Sequence, residues 1–357
     1  MNPLHIHMIK TYYPHWHEHT AFNAFLKYFD PLRFRISMRN VPMGDGRFPP
    51  IPLLKKYCRK KINNRGVPGY KLNDLAAEIS VFFSTIIKRV DVVHFLDAEH
   101  SLLFLPRWYA KWSRLKSFPK IAAMFHQPPA ILESLINIDI VRRVDRVVVV
   151  SPTQEKYFQQ YLPAERITTI LLGVDTQQFK PLPLKVKTGK FRCLGGGVWL
   201  RDYEAFFKTA ELLRDIPGIE FHLVAPREKI PGNVKENPAN IIFHENMPYP
   251  TLLGLYQTCD VLFLPLKDAT ANTFLLEGSA CGLPVVSTDL PSIKAYFPGE
   301  EAILIKGNDP EAFARVLTDL YNDPGQRDRR SACARERASA LSWERIVKEY
   351  EKMYLEL

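Results

Sequence analysis

No two cysteines in this chain are spaced C-x-x-C. Its five cysteines, Cys58, Cys193, Cys259, Cys281 and Cys333, are odd in number and scattered. That excludes a disulfide framework or a zinc ribbon and points to a reducing compartment. No uncharged run reaches the ~18 residues of a membrane span. Met1 to Lys10 lacks a basic region followed by a long apolar one, so no signal peptide is expected. There is no D-x-D, the pattern that brings a divalent metal to a phosphorylated ligand, and no metal is expected. The G-x-G-x-x-G dinucleotide fingerprint is also missing. Acid is scarce in one stretch: Pro31 to Lys71 holds eleven Lys or Arg against a single acid, Asp45.

What is present is alternation. Strand-like runs (Leu4–Ile9, Val90–Leu96, Ile121–Phe125, Arg146–Val150) interleave with helical ones (Ala21–Phe29, Leu72–Lys88, Leu102–Ser117, Gln154–Tyr161). A second series begins near Phe191, with strands at Phe191–Leu194, Glu220–Val224, Asn240–Phe243, Asp260–Leu266, Pro284–Ser287 and Ala302–Ile305. Helices fit between them at Tyr203–Leu213, Tyr249–Thr258, Asp309–Tyr321 and Gln326–Ala340. This predicts an α/β protein with parallel sheets. A length of 357 residues suits two domains. The proline-containing stretch Leu171–Lys185 reads as their linker, and Asn40–Tyr70 as loop. Two such domains create a cleft, a favoured ligand site.

The segment Asp268–Asp289 (DATANTFLLEGSACGLPVVSTD) is the most informative. It predicts a strand, a polar loop, a short helix and a second strand. Ligands in such units sit at the carboxyl ends of the strands, against the helix N-terminus. Thr270 and Asn272 stand where N-caps belong, and Gly282 and Pro284 where the helix stops. Glu277, an acid among leucines, is either a costly buried charge or a group aimed at a ligand, such as the diol of a ribose. Gly195-Gly196-Gly197 ends the first strand of this half, and Arg201 follows it. Glycines there admit a close phosphate, and Arg201 would neutralise it. In the first half, His126 ends a strand and is fixed by Pro128 and Pro129, while Asp97, Glu99 and His100 end another. His126 suits a donor and Asp97 a general base. The alternating run His15-Trp16-His17-Glu18-His19 looks like a metal set, but Pro14 and Trp16 favour a binding loop.

Taken together, these residues resemble the GT-B glycosyltransferases, nearest to the retaining family 4 (group 1) enzymes. HQPP at His126, VVSPTQEKYF at Val149, LLGVDTQQF at Leu171, GGGVWLRDYE at Gly195 and TANTFLLEGSACGLPVVSTD at Thr270 carry the likeness, with the terminal LSWERIVKEYEKMY. The resemblance implies two facing Rossmann-like domains with a cleft between them. Residues 1–173 would serve the acceptor and 174–335 the nucleotide sugar, and 336–357 would be a helix returning toward the first domain. It implies transfer of a sugar from a nucleotide-sugar donor to a glycan, lipid-linked or small-molecule acceptor, with retention and without metal or other cofactor. UDP- or GDP-sugars are the expected donors. The diphosphate would lie near Gly196, Gly197, Arg201, Thr270, Asn272 and Thr273. Glu277 would take the ribose, the loop His244–Met247 the base, and His126 the transferred sugar. Ser151 would shape the cleft floor.

The chain departs from the family at Ala269, where the pattern has its first acid, with Asp268 beside it. Thr270 and Asn272 are expected to substitute, which makes Asn272 a catalytic candidate beside His126 and Asp97. The missing acid leaves room for a non-catalytic relative that only binds nucleotide or glycan. A GT-B-like sugar epimerase or phosphorylase is a further alternative. The basic stretch 31–71 and the aromatic and cationic stretch 102–118 suggest contact with an anionic membrane surface or a phosphorylated acceptor. The place expected is the cytoplasm, with peripheral attachment to the inner face of a membrane. Without a base-reading motif, nucleic acid is not an expected partner.

Overall fold

The computed structural model of the chain describes residues 2–12, 19, 21–64, 67–184, 189–231 and 238–357. The chain divides into two units. One comprises residues 1–16, 26–171 and 347–357, and the other residues 17–25 and 172–346.

The first unit is built on β1 (Leu4–Tyr12), β2 (Phe34–Pro42), β3 (Val92–Phe95), β4 (Lys120–Phe125), β5 (Arg146–Val149) and β6 (Ile167–Thr169). They form one parallel sheet in the order β2-β1-β3-β4-β5-β6. The valine-rich β5 and the alanine-rich β4 are buried almost throughout, as parallel strands covered on both faces must be. Val93, Phe95, Ala123, Phe125 and Val149 pack under Val81, Leu105, Tyr109 and Phe158 from the covering helices. Residues 347–357 belong to this unit as well. There Tyr350 and Tyr354 are buried, and the Tyr354 hydroxyl lies 2.6 Å from His94 Nδ1. Burial holds the His94 ring neutral, with a pKa pushed down to about 3.

The second unit is built on β7 (Phe191–Gly196), β8 (Ile219–Val224), β9 (Ile241–His244), β10 (Val261–Leu264), β11 (Val285–Thr288) and β12 (Ala302–Ile305). They too are parallel, in the order β12-β11-β10-β7-β8-β9. Phe206, Phe221, Phe263 and Phe313 fill its core, with Phe206 stacked on Phe263 at 5.1 Å. In each sheet the chain reverses its direction of winding once, between β1 and β3 and between β7 and β10. Such reversals leave a crevice at the strands' carboxyl ends.

The structure corrects several sequence expectations. The stretch 40–70 contains a helix, Pro52–Asn63, opened by Pro52 at its first position. The expected helix Leu102–Ser117 is shorter, Leu105–Trp112, because Pro106 starts it late. Trp108 and Tyr109 of that segment pack inward, on Phe82, Phe104 and Phe118. Ala21–Phe29 forms two 3-10 turns, Ala21–Asn23 and Phe25–Tyr28, instead of a helix. The expected linker is tied down: Val174 pairs with Ser342, and Phe179 is buried. The strands β2 and β6 were not expected. Among the described residues, no helix is long and apolar enough to cross a membrane.

Candidate functional site

At the reversal between β7 and β10, local chemistry draws two loops together. Gly196 has no room for a side chain, since a Cβ would stand 2.4 Å from the Phe274 ring of the helix Thr273–Ala280. Gly197 is left-handed (φ +84), and a Cβ there would meet Arg201 Nη2 at 2.7 Å. Arg201 reaches back over its own loop: Nε donates to the Gly196 carbonyl (2.8 Å) and Nη1 to that of Trp199 (2.9 Å). Tyr203 Oη donates to the Gly197 carbonyl at 2.6 Å. Arg201 also bridges Leu266 just beyond β10.

A second set of bonds clamps the same loops. Asn308, itself left-handed (φ +54), donates from Nδ2 to Asp202 Oδ2 (2.8 Å) and to the Leu266 carbonyl (2.9 Å). The Thr288 hydroxyl accepts from the Leu266 N–H (2.7 Å) and also bonds to Asn308 Oδ1. Asp202 caps the helix Tyr203–Leu212 by accepting from the Ala205 N–H. The sequence reading missed Asp202, Thr288 and Asn308. Only Asp202 carried a local signal, an N-cap acid before a helical run.

The charge balance here is unusual. Burial lowers the Arg201 pKa to about 10, which leaves it protonated at neutral pH. Among the described residues, no carboxylate lies within ion-pair distance of Arg201. The nearest titratable groups with an electrostatic effect on it are Tyr203 and Tyr256. Tyr256 is buried and donates to Glu277 Oε2 at 3.1 Å. Tyr256 therefore joins Arg201 and Glu277 in one place. Burial and the Glu277 carboxylate hold the phenol well above its usual pKa, so it stays a donor.

Of the predicted residues, Gly196, Gly197, Arg201, Asn272, Thr273 and Glu277 meet at this reversal. Asn272 is the N-cap of Thr273–Ala280, accepting from the Leu275 N–H at 3.2 Å. Thr270 lies two residues earlier, buried in the loop, and is not the cap. Ala269 is buried, and its N–H donates to the Asp268 carboxylate at 2.7 Å, so that acid folds back on its own loop. Met247 stands apart, beyond β9 and two strands from β7. Next to it, His222 and His244 stack with centroids 5.1 Å apart. Burial and mutual repulsion push the His222 pKa down to about 4.

The first unit gathers its own groups at the β1–β3 reversal. Asp97 is buried; Oδ2 accepts from the Thr11 N–H at 2.9 Å, and the carboxylate faces buried Lys10. His126 Nε2 donates to the Leu96 carbonyl (2.6 Å), and the His126 backbone N–H donates to Glu99 Oε1 (3.0 Å). Gln154, missed in the sequence, braces the end of β4 by donating to the Phe125 and Gln127 carbonyls. Ser151 caps the helix Pro152–Phe158. Residues 15–18 of the histidine run lie outside the described residues; His19 Nδ1 lies 3.5 Å from Asp175 Oδ2.

The chain is similar to known proteins in sequence and in fold. Residues 193–323 match the family model "Glycosyl transferases group 1". A D-inositol 3-phosphate glycosyltransferase of Thermobispora bispora is 23% identical over 79% of this chain and 76% of its own. One from Thermomonospora curvata is 34% identical over 31% of this chain, but only 26% of its own length is spanned. The chain likewise spans 27% and 46% of two further curated relatives of that name. Among solved structures, a sucrose-phosphate synthase from Thermosynechococcus elongatus superposes with a TM-score of 0.71 at 16% identity, over 99% of this chain and 98% of that one. Anabaena Alr3699/HepE, solved with UDP and glucose, gives 0.67 at 13% identity, over 94% and 89%. The fold is therefore GT-B.

Proposed function

We propose, on the premise that this GT-B chain belongs to the group 1 glycosyltransferases, that it transfers a sugar from a nucleotide-sugar donor to a hydroxyl of its acceptor. The observation that carries this reading is Arg201, a half-buried cation with no ion-pair partner among the described residues, beside Gly196 and Gly197. A partly desolvated charge without such a partner is costly, and a diphosphate would compensate it. As the bond from the sugar to the diphosphate breaks, charge builds on the leaving oxygens. Arg201 and the N–H groups at the start of Thr273–Ala280 would disperse it without a metal. Glu277, held by Tyr256, would take the ribose hydroxyls, and the His244–Met247 loop the base. UDP- and GDP-sugars are the donors to try first. His126 and Asp97 would serve the transferred sugar and the acceptor, with retention of configuration.

The acceptor is read as a glycan, lipid-linked or phosphorylated molecule. The helix Pro52–Asn63 supports this, since it bears Lys55, Lys56, Arg59, Lys60 and Lys61 with exposed Leu53 and Tyr57, and no acid. Ala269 favours one second reading, a protein that binds a nucleotide sugar without turning it over. A donor screen with mass analysis of products tests both. Nucleoside diphosphates should raise the melting temperature by mass action. No shift with millimolar UDP, GDP or ADP would remove the nucleotide reading; a shift without product or donor hydrolysis would leave the binding one.

A further inference from the structure

The first unit carries an apolar surface that its own fold leaves uncovered. The helix Leu72–Ile87 buries Leu72, Leu75 and Val81 on one side. On the other it presents Ile79, Ile86, Phe83 (58% exposed) and Ile87 (82% exposed). Trp112, at the end of the helix Leu105–Trp112, and Leu115 in the turn after it (77% exposed) add to this surface. These pieces are locked together. Lys116 Nζ donates to the carbonyls of Thr85 (2.8 Å) and Ile86 (2.6 Å), capping the end of the longer helix. Tyr109 Oη lies 3.0 Å from Thr85 Oγ1, and Phe82 stacks on Phe118 beneath. Ile86, Ile87, Trp112 and Leu115 therefore flank one helix end.

An exposed leucine on its own is ordinary, but a cluster of large apolar side chains from two packed segments marks a binding surface. Its rim is cationic. Lys88, Lys111 and Arg114 are exposed, and Arg89 pairs with Asp91. There is no acid between Ile79 and Val90, or between Ser101 and Lys120.

We propose that this surface docks on an anionic lipid bilayer and lies in its interface without crossing it. Phe83, Ile87 and Leu115 would enter the acyl boundary, Trp112 would sit at headgroup level, and the cations would meet anionic headgroups. A second copy of this chain is a poor occupant, because its cations would face these cations. The proposal does not depend on the sugar-transfer reading, and its test does not use activity.

The test is flotation of the full chain with vesicles of phosphatidylcholine, alone or with roughly one third phosphatidylglycerol. The wild type should float only with the anionic vesicles. Phe83→Ser/Ile87→Ser/Leu115→Ser should lower that binding by at least about tenfold. Its melting temperature should change little, since all three side chains are more than half exposed. If that variant fails to fold, Lys88→Glu/Arg114→Glu tests the rim instead. Lys55→Glu/Lys56→Glu/Lys60→Glu tests the separate basic helix. The anionic vesicles should also shift tryptophan emission to the blue, and Trp112→Phe should remove most of that shift. Equal flotation with both vesicle types overturns the proposal. So does wild-type flotation by the patch variants, including the case in which only the Lys55/Lys56/Lys60 variant loses binding. A patch variant that changes the sedimentation of the lipid-free protein would reassign the surface to a contact between copies.

Discussion

The two sheets reverse their winding in the same way, but they fill the resulting crevices with opposite charge logic. At the β1–β3 reversal the buried cation has a carboxylate beside it. Lys10 faces Asp97, and Glu99, whose pKa burial raises, receives the His126 N–H. At the β7–β10 reversal the half-buried Arg201 guanidinium is bonded to two carbonyls, and no described carboxylate pairs with it. The lesson is that a guanidinium with no ion-pair partner suits an anion, while the Glu277 carboxylate in the same crevice, held by Tyr256, suits hydroxyl groups. This is the ground for proposing the second unit as the nucleotide's place.

The strongest way to break this contrast is Arg201→Met. Diphosphate binding should fall at least about a hundredfold by calorimetry, while the ligand-free protein melts little lower, because a partly desolvated charge without an ion-pair partner has gone. A protein that melts well below wild type and still binds UDP or GDP would show Arg201 to be a structural brace. Next is Asn308→Ala. It unties both loops and should cost about 1–3 kcal/mol in denaturant titrations, with kcat/KM falling as well. Full activity would mean that the clamp does not position the site. Glu277→Ala should weaken nucleotide binding about tenfold and leave deoxyribose analogues nearly unaffected. An equal loss for both sugars would remove Glu277 from the ribose.

The smallest expected effect tests the first unit. Glu78 accepts from the N–H groups of Leu103, Phe104 and Leu105 and from the Tyr70 hydroxyl. Burial still raises its pKa from 4.5 to about 7. The folded state therefore binds the extra proton, and this contribution to stability is lost as pH rises from about 4.5 through 7. The slope should be on the order of 1 kcal/mol per pH unit across that window, and Glu78→Gln should flatten it. An unchanged slope in the variant would move the effect to Asp74, which burial also raises to about 7.

Much of the second unit was legible because its signals are local. Asp309-Pro310-Glu311 reads as a helix start, and the Asp309 carboxylate does accept from the Glu311 N–H at 3.0 Å. Glu277 stood out as an acid among leucines and is indeed buried. The helix Pro52–Asn63 was illegible because it buries only Ile62, so no apolar period marks it. The edge strand β2 pairs with β1 alone; the alternation of Phe34, Ile36 and Met38 with Arg35, Ser37 and Arg39 is a strand signal that went unused. The clamp through Asn308 was out of reach for another reason: it joins residues 106 positions apart, and only the sheet order brings them together.

Residues 347–357 complete the first unit, although some 175 residues of the second precede them. His94 in the middle of the first sheet obtains its Tyr354 partner only from that distant segment, 260 positions on. During synthesis the first sheet must therefore wait, with the bed for Tyr350 and Tyr354 open, until the second unit has left the ribosome. Contacts so far apart in sequence form slowly and leave apolar surface exposed meanwhile. Chains stopped before Val347 should accumulate on chaperones instead of folding one unit at a time.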